Sequence, residues 1–354
     1  MNKAVKYATN GAVIFGLGNA AINIFQQLSN QNVGQKFDWI NLLKSFGTGA
    51  LVGGTGGFAI GLIRDNKMSK VIASVGNVSK YLNRTLNYYK DDNTLLLEKA
   101  EKVRKKLDSK FKKELANYPN LNGSITKDTS IYGSDIDIQI PFKRDFGSIE
   151  NVYYTVSDFI FDEFQDTKLV GIREQKHSIG LEFNIGNEIK RIDVIPLRQI
   201  DNKSGDTYLY VNNTGFFEKP TYKKTNYLKQ LKKMQFSTKE KKIVRLLKVW
   251  KVENNLKLKS IHIEFLVKKA FEKKQIPYGI EKCLLETINF LAENIMFIKI
   301  IDPANTNNII SNSLTYKEKE SISEFCYKMI ENITQDERNI IDYFPSLESK
   351  ILIF

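Results

Sequence analysis

Asp135 and Asp137 are the residues best equipped for chemistry, two acids spaced two apart in Ser134-Asp-Ile-Asp-Ile-Gln-Ile140. Polar and apolar residues alternate there, so a strand turns Ile136, Ile138 and Ile140 to one side and holds both carboxylates on the other. Two carboxylates in one small volume raise each other's pKa, and a divalent cation between them relieves that cost. Upstream, Gly123 lets the backbone approach a ligand closely, while Ser124 offers a hydroxyl and an N–H suited to phosphate. A third acid, Asp193, stands among Ile192, Val194 and Ile195. A charge in such a run needs a partner, and joining the Asp135/Asp137 pair provides one. Glu182 is its rival for that third place. The two apolar stretches that carry these acids, 177–185 and 188–195, are separated by Gly186-Asn187 and read as a hairpin.

Gly-Ser, then Asp-x-Asp on a strand, then a third Asp on a later strand resembles the polymerase β superfamily of nucleotidyltransferases. The downstream segments Lys242-Ile-Val-Arg-Leu-Leu-Lys248-Val-Trp-Lys, Leu258-Lys-Ser260-Ile-His-Ile-Glu264 and Ile301-Asp-Pro-Ala-Asn305 resemble the helical half of oligoadenylate synthases, cyclic GMP-AMP synthase and bacterial CD-NTases. The resemblance spans residues 95 to 335. It implies an α+β fold: a polymerase β-like nucleotidyltransferase core with a mixed sheet, followed by a helical lobe. It also implies that Asp135, Asp137 and Asp193 hold two Mg²⁺ (or Mn²⁺) ions. Gly123 and Ser124 would then meet the donor's phosphates, and Lys248 with Ser260 would grip the triphosphate. Two departures stand out. The loop after Ser124 reads Thr126-Lys-Asp-Thr129 where relatives often have a basic-Gly-Thr run, and no Cys/His cluster matches a DNA-sensing zinc insert.

Residue chemistry bears on the same assignments. Nucleotidyl transfer asks a protein for positioning and for positive charge where negative charge builds up, more than for covalent help. Lys248 lies off the apolar stripe Ile243, Leu246, Leu247, Trp250, which is also where a merely solvated lysine would stand. Ser260 reads equally as the N-cap of a helix beginning at Ile261, and an N-cap beside a phosphate serves both purposes. The implied reaction joins NTPs or dNTPs into a cyclic or short linear oligonucleotide signal in bacterial antiviral defence. Alternatives are a transferase acting on an RNA end or a protein hydroxyl, and a degenerate nucleotide-binding membrane module.

Composition sets limits. The 354 residues carry a net charge of +13, with 42% hydrophobic and 11% aromatic residues. That is ample core material for about two domains, and the charge favours polyanionic partners: nucleoside triphosphates, an oligonucleotide product or anionic lipid. Cys283 and Cys326 are too few for a disulfide framework or structural zinc. His177 and His262 are too few for a histidine-based site, and His262 reads as a packed helix-start residue.

The chain divides into a glycine-rich hydrophobic hairpin (1–70), a connector (71–93), a catalytic core (94–220) and a helical nucleotide-binding lobe (221–354). Residues 11–28 and 46–63 are uncharged and apolar, each about the ~17 to 20 residues that span a bilayer, and the second repeats small residues at helical spacing. Lys3, Lys6, Arg64, Lys67 and Lys70 flank them, which puts both ends, and the enzyme, on the cytoplasmic face of the cell membrane. A glycine-rich helical hairpin used for oligomerisation, with a cytoplasmic protein, is the competing reading. A homo-oligomer and a downstream effector protein are open as partners. Further on, Leu96, Ala100, Val103, Leu107 and Phe111 form one stripe of a helix that Pro119 would stop. A sheet runs from about Ile125 to Val211, interrupted by a helix from Ile149 to Phe164. Ser237-Thr-Lys-Glu240 is a capping box, and after Pro220 the pattern is almost entirely helical.

Overall fold

The structure, a computed structural model, describes residues 77–90, 93–212, 219–273 and 275–345. The two apolar legs at 11–63 lie outside the described residues. Among the described residues no helix is long and apolar enough to cross a membrane. The chain forms two compact units, Met1–Tyr81 with Glu331–Phe354, and Leu82–Ile330. In the first, the Tyr81 hydroxyl donates to the Phe344 carbonyl at 2.8 Å.

The second unit is built on a seven-stranded mixed sheet ordered β1-β2-β5-β4-β3, with β6 on β5 and β7 on β6. These strands are β1 (Asn120–Asn122), β2 (Ile136–Phe142), β3 (Leu169–Glu174), β4 (Ile179–Ile185), β5 (Glu188–Gln199), β6 (Thr207–Val211) and β7 (Thr221–Thr225). β2 and β5 run parallel, with Asp137 opposite Asp193. The predicted hairpin is present. Gly186 and Asn187 both take positive φ (62° and 67°), the conformation a two-residue connection between right-twisted strands requires.

Alternation in β2 decides which face is core. Ile136, Ile138 and Ile140 are fully buried with Ile192 and Val194 of β5 and Leu181 and Phe183 of β4. Two helices cover that face: α2 (Thr94–Phe111), which buries the stripe read from the sequence, and α4 (Ile149–Asp162), which follows the first helix of the region, α1 (Val78–Tyr88), and a one-turn α3 (Gly123–Thr126). α2 ends at Phe111 without Pro119; the Pro119 carbonyl instead accepts from Arg104 Nε at 2.7 Å. The opposite face of the β2–β5 pair is left to the acids.

The helices after Pro220 are α5 (Tyr227–Lys233), α6 (Thr238–Glu253), α7 (Ser260–Lys273), α8 (Ile280–Asn294) and α9 (Tyr316–Gln335). α6 opens on the predicted capping box: Ser237 Oγ accepts from the Glu240 N–H, and Glu240 accepts from the Ser237 N–H. The expectation of an almost purely helical region fails at two places. β7 extends the sheet beyond residue 220, and β8 (Ile301–Asp302) pairs with β9 (Asn305–Ile309). Thr221-Tyr-Lys-Lys-Thr225 hides its strand character because its side chains are mostly exposed and lysine-rich, as suits a sheet edge.

Candidate active site

β1 delivers the chain to the sheet edge with Asn122 opposite Asp137, and Gly123 then turns into α3. Gly123 is needed there twice over. Its φ is +77°, and a Cβ at this position would come within 1.9 Å of Asp137 Oδ2. The turn is closed by the Thr129 N–H, which donates to the Ser124 carbonyl at 2.9 Å.

Asp135 precedes β2 at an exposed position, while Asp137 and Asp193 are half-buried neighbours across β2 and β5. Burial pushes the Asp137 carboxyl up to about 7, with the charges of Asp193 and Asp135 adding to it and those of Lys127 and Lys248 opposing. Burial likewise raises Asp193, aided by Asp135 and opposed by the Gln175 amide, which donates to Asp193 Oδ1 at 2.9 Å. Partial desolvation of its carboxyl raises Asp135 against the pull of Arg191 and Arg173. The rival Glu182 is tied to those arginines, at 3.1 Å from Arg191 and 3.7 Å from Arg173.

Among the described residues no three His, Cys, Asp or Glu side chains are gathered closely enough to hold a metal ion as they stand. The predicted ligands Asp135, Asp137 and Asp193 are therefore brought to one end of a strand pair without being closed into a cage. Their chemistry nonetheless fits a hard divalent cation, which takes carboxylate oxygens. Burial and the two neighbouring carboxylates raise Asp137, so positive charge brought to this carboxyl would favour its ionised form.

Lys248 is not the solvated lysine that its place off the apolar stripe allowed. It is 3% exposed, on a helix buried around most of its circumference. Its ammonium donates to the Thr129 carbonyl at 3.0 Å and to Thr129 Oγ1 at 3.2 Å, and it pairs with Glu264 at 3.1 Å. Burial lowers the Lys248 pKa and Glu264 opposes the shift. Lys127 reaches the other oxygen of Glu264 at 2.5 Å. Lys127, Thr129 and Glu264 were not singled out as site residues from sequence. The available signal was an acid lodged between Ile263 and Phe265 in an apolar helix run. His262 is packed as expected, its Nε2 3.0 Å from the Ile310 carbonyl.

A cleft of about 390 Å³ unites these parts. Gly123, Ser124, Asp135, Asp137, Lys248 and Ser260 all line it, with Lys127 and Glu264; Asp193 is not in the lining. Ser260 is the first residue of α7, so the helix start faces this space.

No protein-family model matches the chain, and no curated protein matches it by sequence. Solved structures do match by fold. CdnC of E. coli MS115-1, solved with ATP, is 14% identical and superposes with a TM-score of 0.60 over 75% of this chain and 96% of that one. The CD-NTase CdnG of Bradyrhizobium diazoefficiens, in complex with GTP, gives 11%, 0.62, 78% and 96%. The Vibrio cholerae cyclic AMP-GMP synthase DncV, in complex with a linear pppA(3′,5′)pG intermediate, gives 11%, 0.51, 64% and 68%. The mixed sheet and helices are thus the polymerase β-like nucleotidyltransferase fold of these proteins, as the sequence resemblance implied.

Proposed function

We propose that the chain is a metal-dependent nucleotidyltransferase that joins nucleoside triphosphates into a cyclic or short linear oligonucleotide, a signal in bacterial antiviral defence. The observation that carries this reading is the register of Asp137 against Asp193, with the Gly123 turn pressed on Asp137. ATP, GTP and a linear dinucleotide bound to proteins of the same fold support the substrate class.

In this reading the Gly123-Ser124 turn and the start of α7 present N–H and hydroxyl groups to the donor's polyphosphate, and Ser260 bounds it from the helical side. Asp135, Asp137 and Asp193 would hold Mg²⁺ or Mn²⁺, two ions in all, which supply positive charge for the reacting phosphate and lower the pKa of the attacking hydroxyl. Asp193, whose Oδ1 accepts from Gln175, would take a hydrogen bond from that hydroxyl. Lys248 keeps the loop carrying Ser124 and Thr129 fixed to α6 and α7, so the phosphate seat is assembled before substrate arrives. The segments 11–28 and 46–63 complete the proposal as a membrane anchor that leaves the enzyme on the cytoplasmic face.

The test is incubation of the purified chain with each labelled NTP and dNTP plus Mg²⁺ or Mn²⁺, followed by sizing of nuclease-treated products. A short cyclic or linear oligonucleotide product is expected. Label found only on RNA ends or on protein would replace the signal-synthase reading with macromolecular transfer. No incorporation with any nucleotide would overturn it.

A further inference from the structure

Glu264 is 2% exposed and meets two ammonium groups, Lys248 at 3.1 Å and Lys127 at 2.5 Å. One carboxylate thus answers two cations, so the three groups carry a net positive charge at the wall of the cleft that Asp137 also lines. The two lysines are not equivalent. Lys248 is almost fully enclosed and also serves the Thr129 carbonyl and hydroxyl. The Lys127 side chain is 14% exposed, sits in the loop leaving the Gly123-Ser124 turn, and pairs with Glu264 alone among the acids of the described residues. It also stands at a junction. Lys127 and Ile261 are shared between the 390 Å³ cleft and a neighbouring cleft of about 320 Å³ whose lining includes Lys223, Lys259 and Asp302.

We infer that Lys127 is a polyphosphate-binding residue held in reserve by Glu264: the Lys127–Glu264 pair is a latch that an incoming polyphosphate opens. The anion draws Lys127 away, while Lys248 stays on Glu264 and Thr129 and keeps the loop in place. The inference deepens the nucleotidyltransferase reading and rests on its use of a triphosphate. The physical reason is competition for one cation. A carboxylate pre-paired with a flexible lysine keeps the ammonium at the cleft wall without solvating it. The same pairing subtracts from the net affinity for any anion that must displace it. Lysine suits this task because its compact charge on a flexible stem can swing between partners.

The sign of the effect makes the latch testable. Inorganic tripolyphosphate is titrated calorimetrically into the full chain without divalent cation, so the readout is independent of nucleotide transfer. Lys127→Met should weaken binding about tenfold, the loss of a charge-assisted contact. Glu264→Gln should tighten binding severalfold, by freeing Lys127, and the tightening should vanish in Lys127→Met/Glu264→Gln. A purely structural Glu264 would weaken binding or leave it unchanged when replaced, and either result overturns the latch. So does a gain that persists without Lys127, or an absence of tripolyphosphate binding to the unaltered chain. Glu264→Gln leaves Lys248 buried without its carboxylate and can fail to fold. Lys248→Met/Glu264→Gln then removes the orphaned charge and carries the same comparison with and without Lys127. Tripolyphosphate that behaves as expected on a chain that incorporates no nucleotide leaves the latch standing and removes the synthase reading.

Discussion

Asp137 and Asp193 face each other across the parallel strands β2 and β5, while Gly180 lies opposite Asp193 on β4. A Cβ on Gly180 would come within 2.3 Å of Gln175 Nε2, the atom that orients Asp193. The acidic pair is therefore enclosed by two glycines, Gly123 beside Asp137 and Gly180 beside Asp193, whose missing side chains make room for it. This arrangement stores repulsion between the two carboxylates, which makes the stability of the fold depend on pH.

With its carboxyl near 7 in the folded chain, against an ordinary value of 3.8, Asp137 binds a proton more readily folded than unfolded. Its contribution is therefore fully present below about pH 4 and is lost as pH rises through 7, a change on the order of a few kcal/mol. In EDTA, melting temperature should fall from pH 5 to pH 8 beyond what other groups contribute. Asp137→Asn should flatten that slope while abolishing nucleotide incorporation. Mg²⁺ should restore stability at pH 8 in the unaltered chain alone. A slope unchanged by Asp137→Asn, or full activity in that variant, would remove Asp137 from the site.

Gly123→Ala tests the close approach at the turn. The substitution combines a strained φ of +77° with a Cβ that cannot coexist with Asp137 Oδ2 where it stands. Positive φ alone costs an alanine on the order of 1 kcal/mol. The displaced carboxylate should add to that and reduce the rate of incorporation at least tenfold, measured in the same labelled-nucleotide assay. Gly133→Ala is the control. Its φ is +78° but its Cβ would meet nothing within 4 Å, so it carries the backbone penalty without the clash. Equal activity in the two variants would mean that the Asp137 contact is unimportant.

Much of the site was legible in sequence because its parts are local. The alternation around Ile136, Ile138 and Ile140 gives the strand face that holds Asp137, and Gly186-Asn187 gives the hairpin that brings in Asp193. Lys248 was not legible to the same degree. Its neighbours on one helix face could not reveal that α6 is also covered on the side where Lys248 points, because that depends on α7 and on Thr129, far away in sequence. β7 escaped for a related reason: an exposed edge strand buries too little to leave an alternating pattern.

Because its partners are buried, Lys248 should act on stability before it acts on catalysis. Lys248→Met leaves Glu264 with Lys127 alone and strips both Thr129 hydrogen bonds. Breaking a buried pair on one side typically costs ~3 to 5 kcal/mol. Denaturant unfolding without nucleotide should show a loss of that order. Restoring neutrality with Lys248→Met/Glu264→Gln should recover a large part of it. A folded, fully stable Lys248→Met chain that loses only nucleotide affinity would instead make Lys248 a direct triphosphate ligand.

α1 decides where the enzyme can be cut from its N-terminal segments. Val78, Tyr81, Leu82 and Leu86 on α1 are buried, and the Tyr81 hydroxyl is bonded to the Phe344 carbonyl. Burying one such side chain contributes roughly 1.5 to 3 kcal/mol, so a cut that removes α1 forfeits several times that. A chain starting at Met68 should remain in the supernatant without detergent and keep metal-dependent incorporation, whereas one starting at Asp91 should melt at a markedly lower temperature or aggregate. The full chain should sediment with membranes, as the apolar segments 11–28 and 46–63 imply. If the full chain stays in the high-speed supernatant as a defined oligomer, and the chain from Met68 aggregates, those segments pack against protein and the anchor is wrong. Equal stability of the two shortened chains would show that α1 is dispensable.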